Sequence, residues 1–131
     1  MAASVLAHGE VVFIHEILAA PAKFSSATIR ITGRVLSYHP ESSYLLCEDA
    51  LSQDGVTARL RIDTRLIEPF QVQPGDLALF IGEMHNHIPT VGQLQQQMQL
   101  RARVHSCVNG LDMKLYAKAL ELRRRFFAGE L

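Results

Sequence analysis

The side chains here with the chemistry for a specific task are arginines, a few tyrosines and one close pair of histidines. Ten of the 13 basic residues are arginine, and six of them (Arg30, Arg34, Arg59, Arg61, Arg101 and Arg103) sit in strand-like stretches. A guanidinium makes planar, bidentate contacts with carboxylates and phosphates, although such alternation equally describes a solvated strand face. Tyr38 and Tyr44 are the only aromatics near the arginine-bearing strands, and tryptophan is absent. Stacking on an aromatic is worth about 1–3 kcal/mol per base, so one or two tyrosines predict weak single-strand binding by the chain alone. The formal net charge is zero, which argues against attachment to nucleic acid by bulk electrostatics.

The remaining motifs exclude more than they suggest. His85 and His87 form an HxH pair, but two ligands do not fix a metal and no Asp, Glu or Cys follows at a useful spacing. They read as histidines of a polar loop, and a metal-dependent hydrolase has no further support. No GxSxG, P-loop or GxGxxG occurs, so no catalytic or cofactor-binding residue is assigned. Cys47 and Cys107 lack CxxC spacing and read as reduced, buried strand residues. No apolar run approaches the roughly 20 residues that span a bilayer, and the first ten residues lack the pattern of a signal peptide, so no membrane role and an interior compartment are expected. Arg123, Arg124 and Arg125 read as a solvated face whose charges also complement the helix dipole.

The elements that must position these groups follow from periodicity. Residues 1–10 read as a loose terminus and "VVFIHEIL" as a short apolar stretch before the breaker run "AAPAKFSS". "ATIRITGRVLSY" is a strand with Ile29, Ile31 and Val35 on one side and Thr28, Arg30, Thr32 and Arg34 on the other. Gly33 falls where an inner side chain belongs, the mark of a bulge or sharp coil. "SYLLCEDAL" is the second strand and Asp54-Gly55 a hairpin turn. "VTARLRID" is the third, with Val56, Ala58, Leu60 and Ile62 inward. "TRLIEPF" is a helical or irregular crossing, "VQPGDLALFIGEM" a turn and buried fourth strand, and "MQLRARVHSCV" a fifth with Leu100, Ala102 and Val104 alternating. Ile29, Ile31, Val35, Leu60, Ile62, Leu79, Ile81 and Val104 should share one core. The pattern predicts an all-β barrel, a five-stranded OB-fold with a C-terminal α-helix, as one domain over 1–131: barrel about 11–109, helix about 111–127.

That helix carries two apolar stripes, Leu111, Leu115, Ala119, Leu122 and Phe126 on one and Met113, Tyr116, Leu120 and Phe127 on the other. A helix that only covers its own core needs one. One stripe should close the barrel end, leaving the other exposed.

The order of "IRITGRV", "RLIEPF" and "RARVHSCVNGLDMKLY" resembles the Ten-one family, the smallest OB-fold subunit of the CST complex, over roughly Thr28 to Phe127. The resemblance implies a non-enzymatic accessory subunit at nuclear telomeres. It would pair with a larger OB-fold partner, first as a heterodimer and then within a heterotrimer. It would support telomere capping, replication and C-strand fill-in on single-stranded DNA that it contacts only weakly itself. The alternative is an autonomous single-stranded nucleic-acid binder. The expected partner residues are Leu115, Tyr116, Ala119, Leu122 and Phe126, and the expected nucleic-acid contacts are Arg30, Arg59, Arg61 and Tyr44.

Overall fold

The computed structural model describes residues 9–51, 55–69, 71–87 and 97–130. Its organising element is strand β2, Thr28–His39, whose alternation is as expected: Ile29, Ile31 and Val35 are buried while Arg30 and Arg34 face outward. Residues Thr28 to Arg34 pair antiparallel with β5, Leu77–His87, and Gly33 to His39 pair antiparallel with β3, Tyr44–Asp49. One long strand therefore serves both halves of the barrel, and the two pairings overlap at Gly33 and Arg34. A Cβ at Gly33 would lie 2.9 Å from the Glu48 carbonyl oxygen and 3.3 Å from Cys47 Sγ. The strand can coil this tightly only without a side chain at that position.

From β3 the sheet continues antiparallel to β4, Arg59–Asp63, then parallel to β6, Gln97–Cys107, and antiparallel back to β5, which closes on β2. The result is a closed five-stranded barrel. A two-residue strand β1, Glu10–Val11, adds in parallel to β2. The crossing after β4 is a chain of turns with Ile67 in the core and Thr64 fully buried.

The barrel end is closed by the N-terminal segment, not the C-terminal helix. "VVFIHEIL" folds into helix α1, Ile14–Ala19, and the breaker run into a short helix α2, Pro21–Phe24. Ile14, Ile17 and Phe24 join Ile31, Leu45, Ile62, Phe80 and Leu100 in the main core. The buried Asp49 carboxylate accepts bonds from the Ile14 and His15 amides (2.8 and 2.9 Å), satisfying donors that a helix start leaves open. His15 Nδ1 lies 2.9 Å from the same carboxylate.

Several inner positions differ from expectation. In β5 the main-core residues are Ala78, Phe80 and Met84; Ile81 is buried but on the Arg30 face, and Leu79 is half-buried. Both faces of this strand are covered, so an apolar run carries no phase information. Val104 is 47% exposed although Leu100 and Ala102 are buried. The β5–β6 register shifts between Ile81 and Gly82, where Val104 and Ala102 are the partners, so Arg103 is the extra residue of a bulge. Gly82 permits this approach, because a Cβ there would run into the Arg101 carbonyl. Val56 is exposed, since β4 begins only at Arg59. His85 and His87 belong to β5 rather than to a loop. The rest of that loop, residues 88–96, lies outside the described residues, as do residues 1–8 and the Asp54 part of the hairpin turn. Both cysteines are free, with Cys47 buried but Cys107 exposed. Burial, then Asp49 and Glu48, push the Cys47 thiol far up, which keeps it protonated.

Candidate partner and nucleic-acid surfaces

The C-terminal helix, α3 (Met113–Phe127), starts at Asp112, whose carboxylate accepts the Lys114 and Leu115 amides at 3.1 and 3.2 Å. It lies on the outside of the barrel wall. Met113 and Leu120 are buried, yet neither they nor Leu77 and Ile81 belong to the main core. These residues make a second, thinner apolar layer. Tyr116 is half-buried on the same inward side, edge-on to Phe13 at 6.2 Å. The opposite stripe is open: Leu111, Leu115, Leu122 and Phe126 are exposed, with Leu115 at 64% and Phe126 at 62%. Of the five expected partner residues, Leu115, Ala119, Leu122 and Phe126 therefore face outward, and Tyr116 faces the barrel. Phe127, placed by its spacing on the inward stripe, is 74% exposed.

Beside Tyr116 is a cleft of about 230 Å³ lined by Val11, Arg30, Leu79, Ala119, Leu120 and Arg123. Arg30 Nε and Tyr116 Oη are buried here and have no hydrogen-bond partner among the described residues. Buried polar groups are rarely left so, and each unmade bond costs about 1–3 kcal/mol. Arg30 thus belongs to the surface under α3, and the structure does not bring it together with Arg59, Arg61 and Tyr44. At the far end of the helix Arg124 makes a bidentate pair with Glu16 (2.8 and 2.9 Å) and donates to the Val11 carbonyl at 2.9 Å. Burial pushes the Glu16 carboxyl up, but the Arg124 bonds and the Phe13 amide outweigh it and hold the pKa below the usual value. Of the three consecutive arginines, this one is a structural tie between α1 and α3.

The second surface is the outer side of β3 and β4. Register places Tyr44 opposite Asp63, Leu46 opposite Arg61, and Glu48 opposite Arg59. Arg61 reaches diagonally so that its Cζ lies 3.7 Å from the Tyr44 ring centroid. The His39 ring stacks on Tyr44 at 4.5 Å and 20°. Arg61 Nε donates to Gln99 Oε1 at 2.9 Å, while Arg59 is mostly exposed, 3.6 Å from Glu48. Next to them buried Asp63 gathers Arg65 (3.0 Å), Arg101 (3.5 Å) and His85 (3.9 Å). Burial raises the Asp63 pKa, but the Arg65 and Arg101 bonds prevail and hold it below the usual range. Arg59, Arg61 and Tyr44 are thus together, as alternation allowed one to expect. His39, Gln99 and Arg65 were missed: their roles depend on contacts across strands, which a linear pattern does not signal.

Comparison with known proteins agrees with this architecture. Residues 5–130 match the family described as "Telomere-capping, CST complex subunit". The chain is similar to CST complex subunit TEN1 of Arabidopsis thaliana, 31% identical over 103 residues that cover 79% of this chain and 72% of the relative. It is also similar to CST complex subunit TEN1 of Homo sapiens, at 28% over 102 residues, covering 76% of this chain and 75% of that one. In fold it resembles a chain of the S. pombe Stn1-Ten1 complex, with a TM-score of 0.64, 16% identity, and coverage of 89% of this chain and 92% of the other. The barrel, its order of motifs and the matched span together make this chain a member of the telomere-capping CST complex subunit family.

Proposed function

We propose that this chain is a non-enzymatic accessory subunit that joins a larger OB-fold partner in a CST complex at nuclear telomeres. There it supports capping, replication and C-strand fill-in, and adds modestly to single-stranded DNA binding. The observation that carries the reading is α3: an exposed apolar stripe beside a cleft whose Arg30 and Tyr116 donors have no partner among the described residues. Exposed apolar area of this kind marks partner surfaces. An acidic side chain of the partner suits the cleft, because it would satisfy both donors next to Arg123 without introducing a like charge. The alternative of an autonomous single-strand binder is less well served, since Tyr44 is already stacked with His39 and Arg61.

Co-purification with the larger OB-fold subunit tests this. Leu122→Asp and Phe126→Asp should each abolish pairing in a chain whose circular dichroism is unchanged. Arg30→Gln should weaken pairing about tenfold, because it leaves the partner's carboxylate without its charged donor. Pairing unaffected by all three would place the interface elsewhere.

A further inference from the structure

We propose that the nucleobase platform of this chain is the outer face of the Arg61 guanidinium, with Tyr44 as its backing. The proposal rests on the single-stranded DNA reading above and assigns its stacking group. Arg61 Cζ at 3.7 Å from the Tyr44 centroid must lie directly over the ring, and an imidazole at 4.5 Å and 20° must also overlap it. Non-bonded carbons stay about 3.5–4.0 Å apart, so the two groups cannot share one face of the phenol ring. They occupy opposite faces, and Tyr44 is the middle of a three-layer stack with neither face left for a base.

Both ends of that stack are fixed. Ser37 Oγ is 3.1 Å from His39 Nε2. The Arg61 plane is set by its bond to Gln99, a side chain that is itself buried. What distinguishes the Arg61 end is its surroundings. Arg61 lines a cleft of about 350 Å³ together with Leu18, Pro21, Leu46, Arg59 and Met98. A flat ring with apolar faces suits such a cleft. The phosphate attached to it would meet Arg59, which is two-thirds exposed and lies 3.6 Å from Glu48. Guanidinium planes stack on bases as aromatic rings do, and Tyr44 behind this one holds it flat. The apolar walls come partly from α1 and α2, so the segment that closes the barrel also shapes the slot.

The test compares charge with planarity, using the full-length chain and fluorescence anisotropy. One probe is a labelled thymidine oligonucleotide and the other an abasic strand of the same length. Arg61→Lys keeps the charge and loses the plane. It should weaken binding to the thymidine strand about five- to tenfold, while abasic binding and the salt slope stay within about twofold of wild type. Tyr44→Ala removes the backing ring and should weaken binding to the thymidine strand severalfold, again with abasic binding retained. Equal affinity of wild type and Arg61→Lys for the thymidine strand would overturn the platform, as would an equal loss on both strands. A different result sinks the parent reading: if Arg59→Gln with Arg61→Gln leaves the salt slope of the thymidine strand unchanged, this surface does not contact DNA.

Discussion

Two buried residues show how single side chains hold the barrel. Asp49 belongs to β3, yet it caps the start of α1 by accepting two amides from Ile14 and His15. Asp49→Ala leaves both donors unsatisfied and frees the barrel end, so unfolding in urea should show a loss of at least about 1.5–3 kcal/mol, the scale of bonds to a charged group. Asn in place of Asp keeps one acceptor and should recover part of that. Leu60 faces the core at 3% exposure, and Leu60→Ala should cost about 2–5 kcal/mol by denaturant titration, the usual range for truncating a buried leucine. A Leu60→Ala variant as stable as wild type would contradict the core assignment. At this scale the sequence was informative where polar and apolar residues alternate: Ile29, Ile31, Leu60 and Ile62 are all inner residues as read. It was silent on Asp49, whose partner helix lies more than thirty residues away.

Among the elements, the two apolar stripes of α3 were legible, but their assignment to the barrel end was not. Closing a barrel end needs a short apolar element that reaches over the rim, and α1 does so with Ile14 and Ile17. In a linear reading "VVFIHEIL" has neither the length nor the spacing to distinguish a cap from a strand. In β5 the phase was hidden because the second face is covered too: Leu77 and Ile81 are buried, and Leu79 lines the cleft beside α3. Arg30, expected beside Arg59 and Arg61, instead lines the cleft beside α3 for the same reason, since the path of α3 across the wall decides which arginines it covers. A consequence can be measured. Because Met113 and Leu120 pack outside the main core, Leu120→Asp should detach α3 without unfolding the barrel. Hydrogen exchange should show α3 amides losing protection while those of Ile31, Leu45 and Phe80 keep theirs. Simultaneous loss at both sets of amides would mean that barrel and helix form one cooperative unit.

For the whole molecule, zero net charge conceals two local ion centres that tie distant parts of the chain. Glu16 and Arg124 join the two ends of the sequence, and Asp63 joins the crossing after β4 to β5 and β6 through Arg65, His85 and Arg101. Both carboxyls have folded pKa values below their ordinary ones. A carboxyl whose pKa is depressed by folding contributes stability that is complete above the unfolded value, about 3.9 for Asp and 4.3 for Glu. That contribution disappears as the pH falls through the lower folded value. Acid should therefore destabilise the protein below about pH 4, and most of the loss should trace to Asp63, because Glu16 is the more solvent-accessible of the two. Asp63→Asn makes the expectation specific. The variant loses its pairing with Arg65 and Arg101 at neutral pH and should melt below wild type there. As the pH drops past 4 toward the folded pKa of Asp63, wild type loses the same interaction by protonation and the two melting curves should converge. Glu16→Gln should behave likewise but with a smaller gap that closes on adding salt, since its pair is screened. Thermal melts of the three proteins at stepped pH decide the matter: a gap between wild type and Asp63→Asn that stays constant into acid would show that Asp63 stabilises the fold by something other than its charge.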